Sequence, residues 1–273
     1  MAPPNRGNRY RTSEKQLWEG RMAARKPLIA GNWKMYGRQA SLAELKALWG
    51  LIEPVSNEIE ALICPPALYI PQALWGTREF GIAIGAQDCS AAADDAARTG
   101  EISAAMLADA GAKYVIVGHS ERRTLHGESN DLVRLKAEAA LGAGLTPIIC
   151  VGETQAERAA GKVAEIVGGQ VRESVPDGNA GIVVAYEPVW AIGGNSTPTI
   201  PEIAEVHTLI RSTLAERFGD QANAIRILYG GSVGPKNAAE IFGAEGVDGA
   251  LVGRASLKAA DFAAIILGHP AAK

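Results

Sequence analysis

Residues 181–193 read GIVVAYEPVWAIG. The run from Gly181 to Tyr186 is apolar and β-branched, the composition of a buried strand. Glu187 follows at once, Pro188 stops the strand, and Gly193-Gly194-Asn195-Ser196 supplies a loop. A buried strand that delivers one acid to its C-terminal tip, ahead of a hinged loop, has the layout of a catalytic base under a lid. A lone Glu in this place is most simply a strand cap. The reading therefore turns on whether other strands end in the same way.

Short β-rich runs recur along the chain and alternate with longer Ala- and Leu-rich stretches of helical period. Strands are expected at residues 27–32, 61–64, 82–87, 114–118, 147–151, 182–187, 225–229 and 249–252. Helices between them are expected to include residues 41–51, 104–109, 130–141, 156–161, 201–218 and 235–242. Eight β/α units in about 245 residues match a (β/α)8 barrel, the TIM-barrel class of α/β fold, as a single domain over residues 26–273. The strands are continuous apolar runs, as a parallel sheet covered on its outer face requires. A doubly wound open sheet is the rival, and the lack of a G-x-G-x-x-G after the first strand counts against its dinucleotide-binding form.

The tips carry polar chemistry: Gly31-Asn32-Trp33-Lys34, Gly118-His119-Ser120-Glu121-Arg122-Arg123, Glu187, Tyr229-Gly230-Gly231-Ser232 and Gly253-Arg254. Closure of a barrel would gather them on one rim, where active sites of this fold lie. An open sheet would spread them out. Glu187 is the candidate base for removing a proton next to a carbonyl. His119 opens a turn into a helix, whose N-terminus disfavours a positive imidazole and leaves a neutral hydrogen-bond donor. Lys34 supplies positive charge to an anionic substrate or a developing enediolate, and Asn32 and Glu121 are candidates to orient it. Gly230-Gly231-Ser232 and Gly253 suit a phosphate cradle of backbone N–H groups at helix starts. The bland alternatives are a structural His, a surface Lys and glycines of tight turns. The convergence of the tips is what weighs against them.

The bulk composition narrows the partners. The 273 residues are 47% apolar and 21% charged with net charge −3, which disfavours nucleic acid or an anionic membrane. No apolar run reaches the roughly 18–20 residues of a membrane span. Cys64, Cys89 and Cys150 lack metal-ligand spacing, and a reducing cytoplasm is the simplest setting for three thiols. No metal cluster, Cys nucleophile or Ser-His-Asp set stands out. Residues 1–25 are polar and Arg-rich, without the apolar centre of a secretory signal, and with too little Ser and two acids, Glu14 and Glu19, against a transit peptide. They are expected to form a disordered extension, with Met22 a candidate start because a strand follows it directly.

The motifs GNWKM (Gly31–Met35), VGHSERR (Val117–Arg123), CVGET (Cys150–Thr154), AYEPVWAIG (Ala185–Gly193), YGGSV (Tyr229–Val233) and DGALVG (Asp248–Gly253), in this order from Lys26 onward, resemble the triosephosphate isomerase family. The resemblance implies interconversion of dihydroxyacetone phosphate and glyceraldehyde 3-phosphate, without a cofactor. It makes Glu187 the base, His119 the electrophile, and Lys34 and Asn32 substrate ligands. Gly193, Ser232 and Gly253 become phosphate ligands, with Ser120, Glu121 and Tyr229 in support. Thr99 and Glu101 resemble a loop that enters a neighbouring subunit near Met35, which implies a homodimer through Asp88–Glu101.

The chain also departs from the family pattern. The lid runs Gly194-Asn195-Ser196-Thr197-Pro198. Pro198 has no N–H for the Tyr229 hydroxyl to bond in a closed state, so weaker closure is expected. Arg254 stands where the family has Gly, and either turns its side chain away or reaches the substrate. Tyr36, Ala96 and Arg98 depart from the usual dimer-loop residues. A relative acting on a four-carbon ketose phosphate is the alternative within the enzyme class. A non-catalytic phosphate-binding barrel is the alternative outside it.

Overall fold

Successive side chains of a strand face opposite ways, and here both directions are apolar. One set, including Leu28, Ala30, Leu62, Ile116, Ile148, Cys150, Val183, Ala185, Leu228 and Leu251, packs on itself. The alternate set, including Ile29, Ile63, Ile84, Val115, Ile149, Val184, Ile227 and Val252, joins the larger core under the helices. Only a sheet with an inside and a covered outside satisfies both sets.

The computed structural model describes residues 25–178, 181–192 and 197–273. Its strands are β1 (Leu28–Asn32), β2 (Glu60–Cys64), β3 (Ile82–Ala86), β4 (Tyr114–Val117), β5 (Thr146–Val151), β6 (Val183–Tyr186), β7 (Arg226–Tyr229) and β8 (Gly249–Val252). They form a closed parallel barrel in sequence order. β1 pairs with β8 in the register Leu28 with Gly249 through Gly31 with Val252. The barrel expected from the strand tips is therefore the fold, and the open sheet is not. The expected extension, apart from Arg25, lies outside the described residues. Arg25 itself donates to Asp248 Oδ1 at 2.7 Å and to the Asn223 carbonyl at 2.6 Å.

Each expected helix is present, Ala104–Asp109 with the expected ends and the others with shifted ones. The helix of Ala43–Ile52 follows a 3-10 turn at Gln39–Leu42. The helix of Ile200–Phe218 begins at a Thr199 cap, with Thr199 and Glu202 bonding reciprocally and Pro201 in the first turn, where its missing N–H costs nothing. The helix expected from Pro235 starts only at Ala238, because Asn237 Oδ1 instead takes the Gly234 N–H at 2.8 Å to form a turn. The helix expected after His119 is Ser120–His126, and three helices without a stated expectation are Ile70–Thr77, Ala259–Leu267 and Val163–Ser174. Gly168 and Gly169 dilute the period of the third.

The lower mouth of the barrel is closed by polar groups. Tyr114 donates to Glu60 at 2.7 Å, and Arg226 donates to both Glu60 and Tyr114 at 2.6 and 2.8 Å. The seam between β8 and β1 depends on Gly249, at φ +144°, where a Cβ would stand 2.0 Å from the Leu28 carbonyl oxygen. Gly249→Ala is expected to strain this seam and cost at least about 1–3 kcal/mol. That would lower the melting temperature by several degrees, at roughly 2–4 °C per kcal/mol for a chain of this size. Thermal unfolding with an unchanged midpoint would contradict it.

Candidate active site

Strand parity sets the first two side chains. Leu28 and Ala30 face the barrel interior, so Asn32 does too; Val183 and Ala185 do likewise, so Glu187 does too. Both end up buried at the upper rim, Glu187 at 2% exposure. His119 arrives by a different route. Gly118 follows β4 at φ +64°, and a Cβ there would meet Val133 at 2.6 Å. That left-handed turn, open to glycine, re-aims the chain so that His119 becomes the N-cap of Ser120–His126.

The rim residues meet as the tips foretold. His119 Nε2 lies 2.9 Å from Glu187 Oε1, and the Ser120 N–H donates to Glu187 Oε2 at 2.9 Å. His119 Nδ1 accepts from the Glu121 N–H at 3.2 Å. An accepting Nδ1 carries no proton, so the ring is neutral in this network and its one N–H is at Nε2, aimed into the site. Burial pushes the Glu187 carboxyl up. The positive charge of the His119 ring when it is protonated, its hydrogen bond, the Ser120 N–H and the Lys34 ammonium outweigh that, and the group lies below its ordinary value of 4.5. Nearby, burial and the Glu187 carboxylate push the Cys150 thiol well up, which leaves it without nucleophilic thiolate.

Lys34 is the one non-glycine residue among those described with positive φ, +51°. Its own N–H donates to Asn32 Oδ1 at 2.8 Å, which holds this costly backbone in place. Its ammonium donates to Glu121 Oε1 at 2.6 Å. Asn32 thus fixes the backbone of Lys34 and Glu121 fixes its charge.

The phosphate-cradle residues are placed less simply than expected. Gly193 lies outside the described residues, as do Gly194, Asn195 and Ser196 of the lid. The Ser232 hydroxyl donates to the Ala191 carbonyl at 2.6 Å, and the next helix begins only at Ala238, so no helix start adjoins Gly230-Gly231-Ser232. Gly253 caps a single 3-10 turn, Arg254–Leu257, not a full α-helix. Arg254 is exposed and makes no hydrogen bond or ion pair with the described residues. Tyr229 is fully buried, and its hydroxyl has no partner among the described residues.

Three residues beside the site had no role assigned from sequence. Glu153, fully buried, accepts at Oε1 from Arg158 (2.7 Å), the Tyr186 hydroxyl (3.1 Å) and the Trp190 indole (3.1 Å). Arg158 also reaches Glu202 at 3.5 Å, so it contacts the chain on both sides of residues 193–196. Gln170 bonds the backbone of Gly152. Glu153 stood inside the motif CVGET; Arg158 and Gln170 carried no local signal.

The sequence model of the family described as Triosephosphate isomerase matches residues 27–268. Among curated relatives, "Triosephosphate isomerase" of Afipia carboxidovorans is 58% identical over 247 residues, 90% of this chain and 98% of that protein. That of Bradyrhizobium diazoefficiens is 53% identical over the same shares. Among solved structures, triosephosphate isomerase from Bartonella henselae superposes with a TM-score of 0.83 at 47% identity, covering 89% of this chain and 98% of that one.

The lowered Glu187 carboxyl makes a signed prediction. Its ionised form stabilises the fold fully above the ordinary value of 4.5, and that contribution fades as pH falls through the lower folded value. Between about pH 6 and 3 the wild type should therefore lose more unfolding free energy than Glu187→Gln, which cannot titrate. Denaturant titrations giving parallel pH curves for the two proteins would contradict the lowered value.

Proposed function

The chain belongs to the triosephosphate isomerase family, whose members interconvert dihydroxyacetone phosphate and glyceraldehyde 3-phosphate in glycolysis and gluconeogenesis, and on that premise we propose how its residues divide the reaction. Glu187 takes the proton from the hydroxyl-bearing carbon beside the carbonyl and returns it to the neighbouring carbon. His119 donates from Nε2 to the two substrate oxygens in turn and stabilises the enediolate between those steps. The single observation that carries this is the His119 Nε2–Glu187 contact of 2.9 Å beside an accepting Nδ1. It puts a carboxylate and a neutral N–H donor on one spot.

In this arrangement the donor is used on the base itself. Substrate oxygens replace the carboxylate at His119 Nε2, and Glu187 turns from His119 and the Ser120 N–H toward the carbon. Lys34, steadied by Asn32 and Glu121, offsets the negative charge. Ser232 and Gly253, with Gly193, hold the phosphate. Arg254, exposed beside Gly253, is a further ligand for it. The relatives' names favour the three-carbon substrate over a four-carbon ketose phosphate.

The rim also opens sideways. Lys34 and His119 share a cleft of about 710 Å³ with Gln87, Cys89, Arg98, Glu101 and Leu125. At its edge Met35 is 96% and Leu125 75% exposed, an unusual apolar display on a soluble face. The Asp88–Glu101 loop is braced on itself by Ser103 to Asp95 at 2.8 Å, by Ser90 to Glu101, and by the Ser90 N–H to Ile102 at 2.8 Å. Such a braced loop suits the cleft of a second copy, and a homodimer joined this way would cover Met35. No described helix is long and apolar enough to cross a membrane, and the three buried free thiols suit a reducing cytoplasm.

Two measurements test these readings. Glu187→Asp withdraws the carboxylate by about a methylene, and a misplacement of roughly 1 Å costs about a hundredfold. A coupled isomerase assay showing an undiminished rate would remove Glu187 as the base. Sedimentation equilibrium should give twice the 28.6 kDa chain mass, and Met35→Glu should return a monomer of much reduced activity. A monomeric wild type would remove the dimer.

A further inference from the structure

We propose that Gln170 is a positioning residue for the base: by gripping the peptide of Gly152 it fixes where Glu187 stands, and so sets the rate of proton abstraction. The proposal rests on the reading of Glu187 as the base.

Gln170 lies on the helix Val163–Ser174, beside the upper end of β5. Its Oε1 accepts from the Gly152 N–H at 2.7 Å, and its Nε2 donates to the Gly152 carbonyl at 3.1 Å. One side-chain amide thus satisfies both backbone groups of one residue, as a paired strand would. The sheet itself ends one step earlier. Val151 pairs with Tyr186, and the Val151 carbonyl accepts the Glu187 N–H at 2.7 Å. Gly152 is the first residue beyond the ladder, and Gln170 takes the place of the missing neighbour.

The other side of Gly152 bears on the base. A Cβ on Gly152 would stand 1.7 Å from the Glu187 carbonyl oxygen and 3.3 Å from its Cα. The two backbones are therefore in contact, and a shift of Gly152 is passed directly to Glu187. Glycine resists such a shift less than any other residue. Packing does not resist it either, because Gln170, Gly152, Ser120 and Glu187 together line a cavity of about 170 Å³. Val151 and Glu153 on either side accept from the Glu187 and Val189 N–H groups at 2.7 and 3.0 Å, and at Gly152 itself the holding bonds are the two from Gln170. The residues proposed to hold phosphate are elsewhere: Ser232 bonds Ala191, and Gly253 belongs to the turn after β8. Loss of Gln170 should therefore disturb chemistry and spare binding.

Wild type, Glu187→Asp, Gln170→Ala and Gln170→Glu are compared with ordinary dihydroxyacetone phosphate and with the same substrate deuterated at the carbon that loses its proton. Gln170→Ala should lower kcat about tenfold or more, since roughly 1 Å of misplacement costs about a hundredfold. KM should stay within about twofold, the pattern of an interaction needed only in the transition state. Inhibition by inorganic phosphate should be unchanged. The deuterium effect on kcat should grow, because proton abstraction becomes limiting. Gln170→Glu keeps the length and sets a carboxylate oxygen against the Gly152 carbonyl; it should change in the same direction. Unchanged kcat in both variants overturns the proposal. So does a raised KM with an unchanged isotope effect, and so does loss of folded protein in both at assay temperature, which would make Gln170 a folding residue. A wild type without isomerase activity, or a fully active Glu187→Asp, would instead remove the base reading beneath it.

Discussion

Pairing of β8 with β1 is the contact on which the rest depends. Asn32 ends the first strand and Lys34 follows it, while Ser232 and Gly253 follow the last two. They share a rim with His119 and Glu187 only because the sheet closes. Closure needs a glycine, Gly249, at the first residue of the seam. Just before it, Asp248 accepts from Arg25, Arg211 and the Ile227 N–H at 2.7–2.9 Å. Stability is thus concentrated at the lower end of the barrel and chemistry at the upper end, the division expected of this architecture.

At the upper end the dominant problem is a carboxylate with almost no access to water. Burying a charge without partners is expensive. Glu187 meets that cost with the Ser120 N–H, the His119 ring and the nearby Lys34 charge, and so stays ionised. On the proposed reading the same groups serve the reaction. A donor that steadies the waiting base is free for substrate oxygen once the base turns to carbon. His119 can do this only as a neutral ring, and the Glu121 N–H at Nδ1 enforces that tautomer. The N-terminus of a short helix therefore sets which ring nitrogen of its own cap is free to donate.

Much of this was legible in the chain. Eight apolar runs with polar tips identified the barrel, because parallel pairing demands both strand faces apolar and closure explains tips so far apart in sequence. Asn32, Lys34, His119 and Glu187 were visible because each stands at or within two residues of the end of a strand. The helix Val163–Ser174 was not visible, since Gly168-Gly169 weakens its period. Gln170 went unseen with it, because a polar residue that grips a distant peptide looks like any solvated one. Arg158 was hidden for the same reason: its partners, Glu153, Trp190 and Glu202, are assembled only by the fold. Only the helix start near Pro235 was misjudged, because Asn237 holds residues 234–237 in a turn and the helix begins at Ala238. Residues 193–196 and most of the N-terminal segment lie outside the described structure.

Glu187, the proposed base, is flanked by two glycines that leave it space. Neither Gly152 nor Gly230 has positive φ, so neither is needed for its backbone angles. A Cβ on Gly152 would collide with the Glu187 main chain, and one on Gly230 would stand 2.8 Å from Glu187 Cγ. Gly230 thus leaves room for the side chain and Gly152 for the main chain, which is braced by Val151. Such room has a cost: glycines are the least able to hold their own position. The structure answers it from outside the strands. The Gly230 N–H is tied to the Tyr186 carbonyl at 2.7 Å, and Gly152 is tied at both backbone groups by Gln170. A base that must move needs neighbours without side chains, and those neighbours need to be fixed by hydrogen bonds because packing cannot fix them.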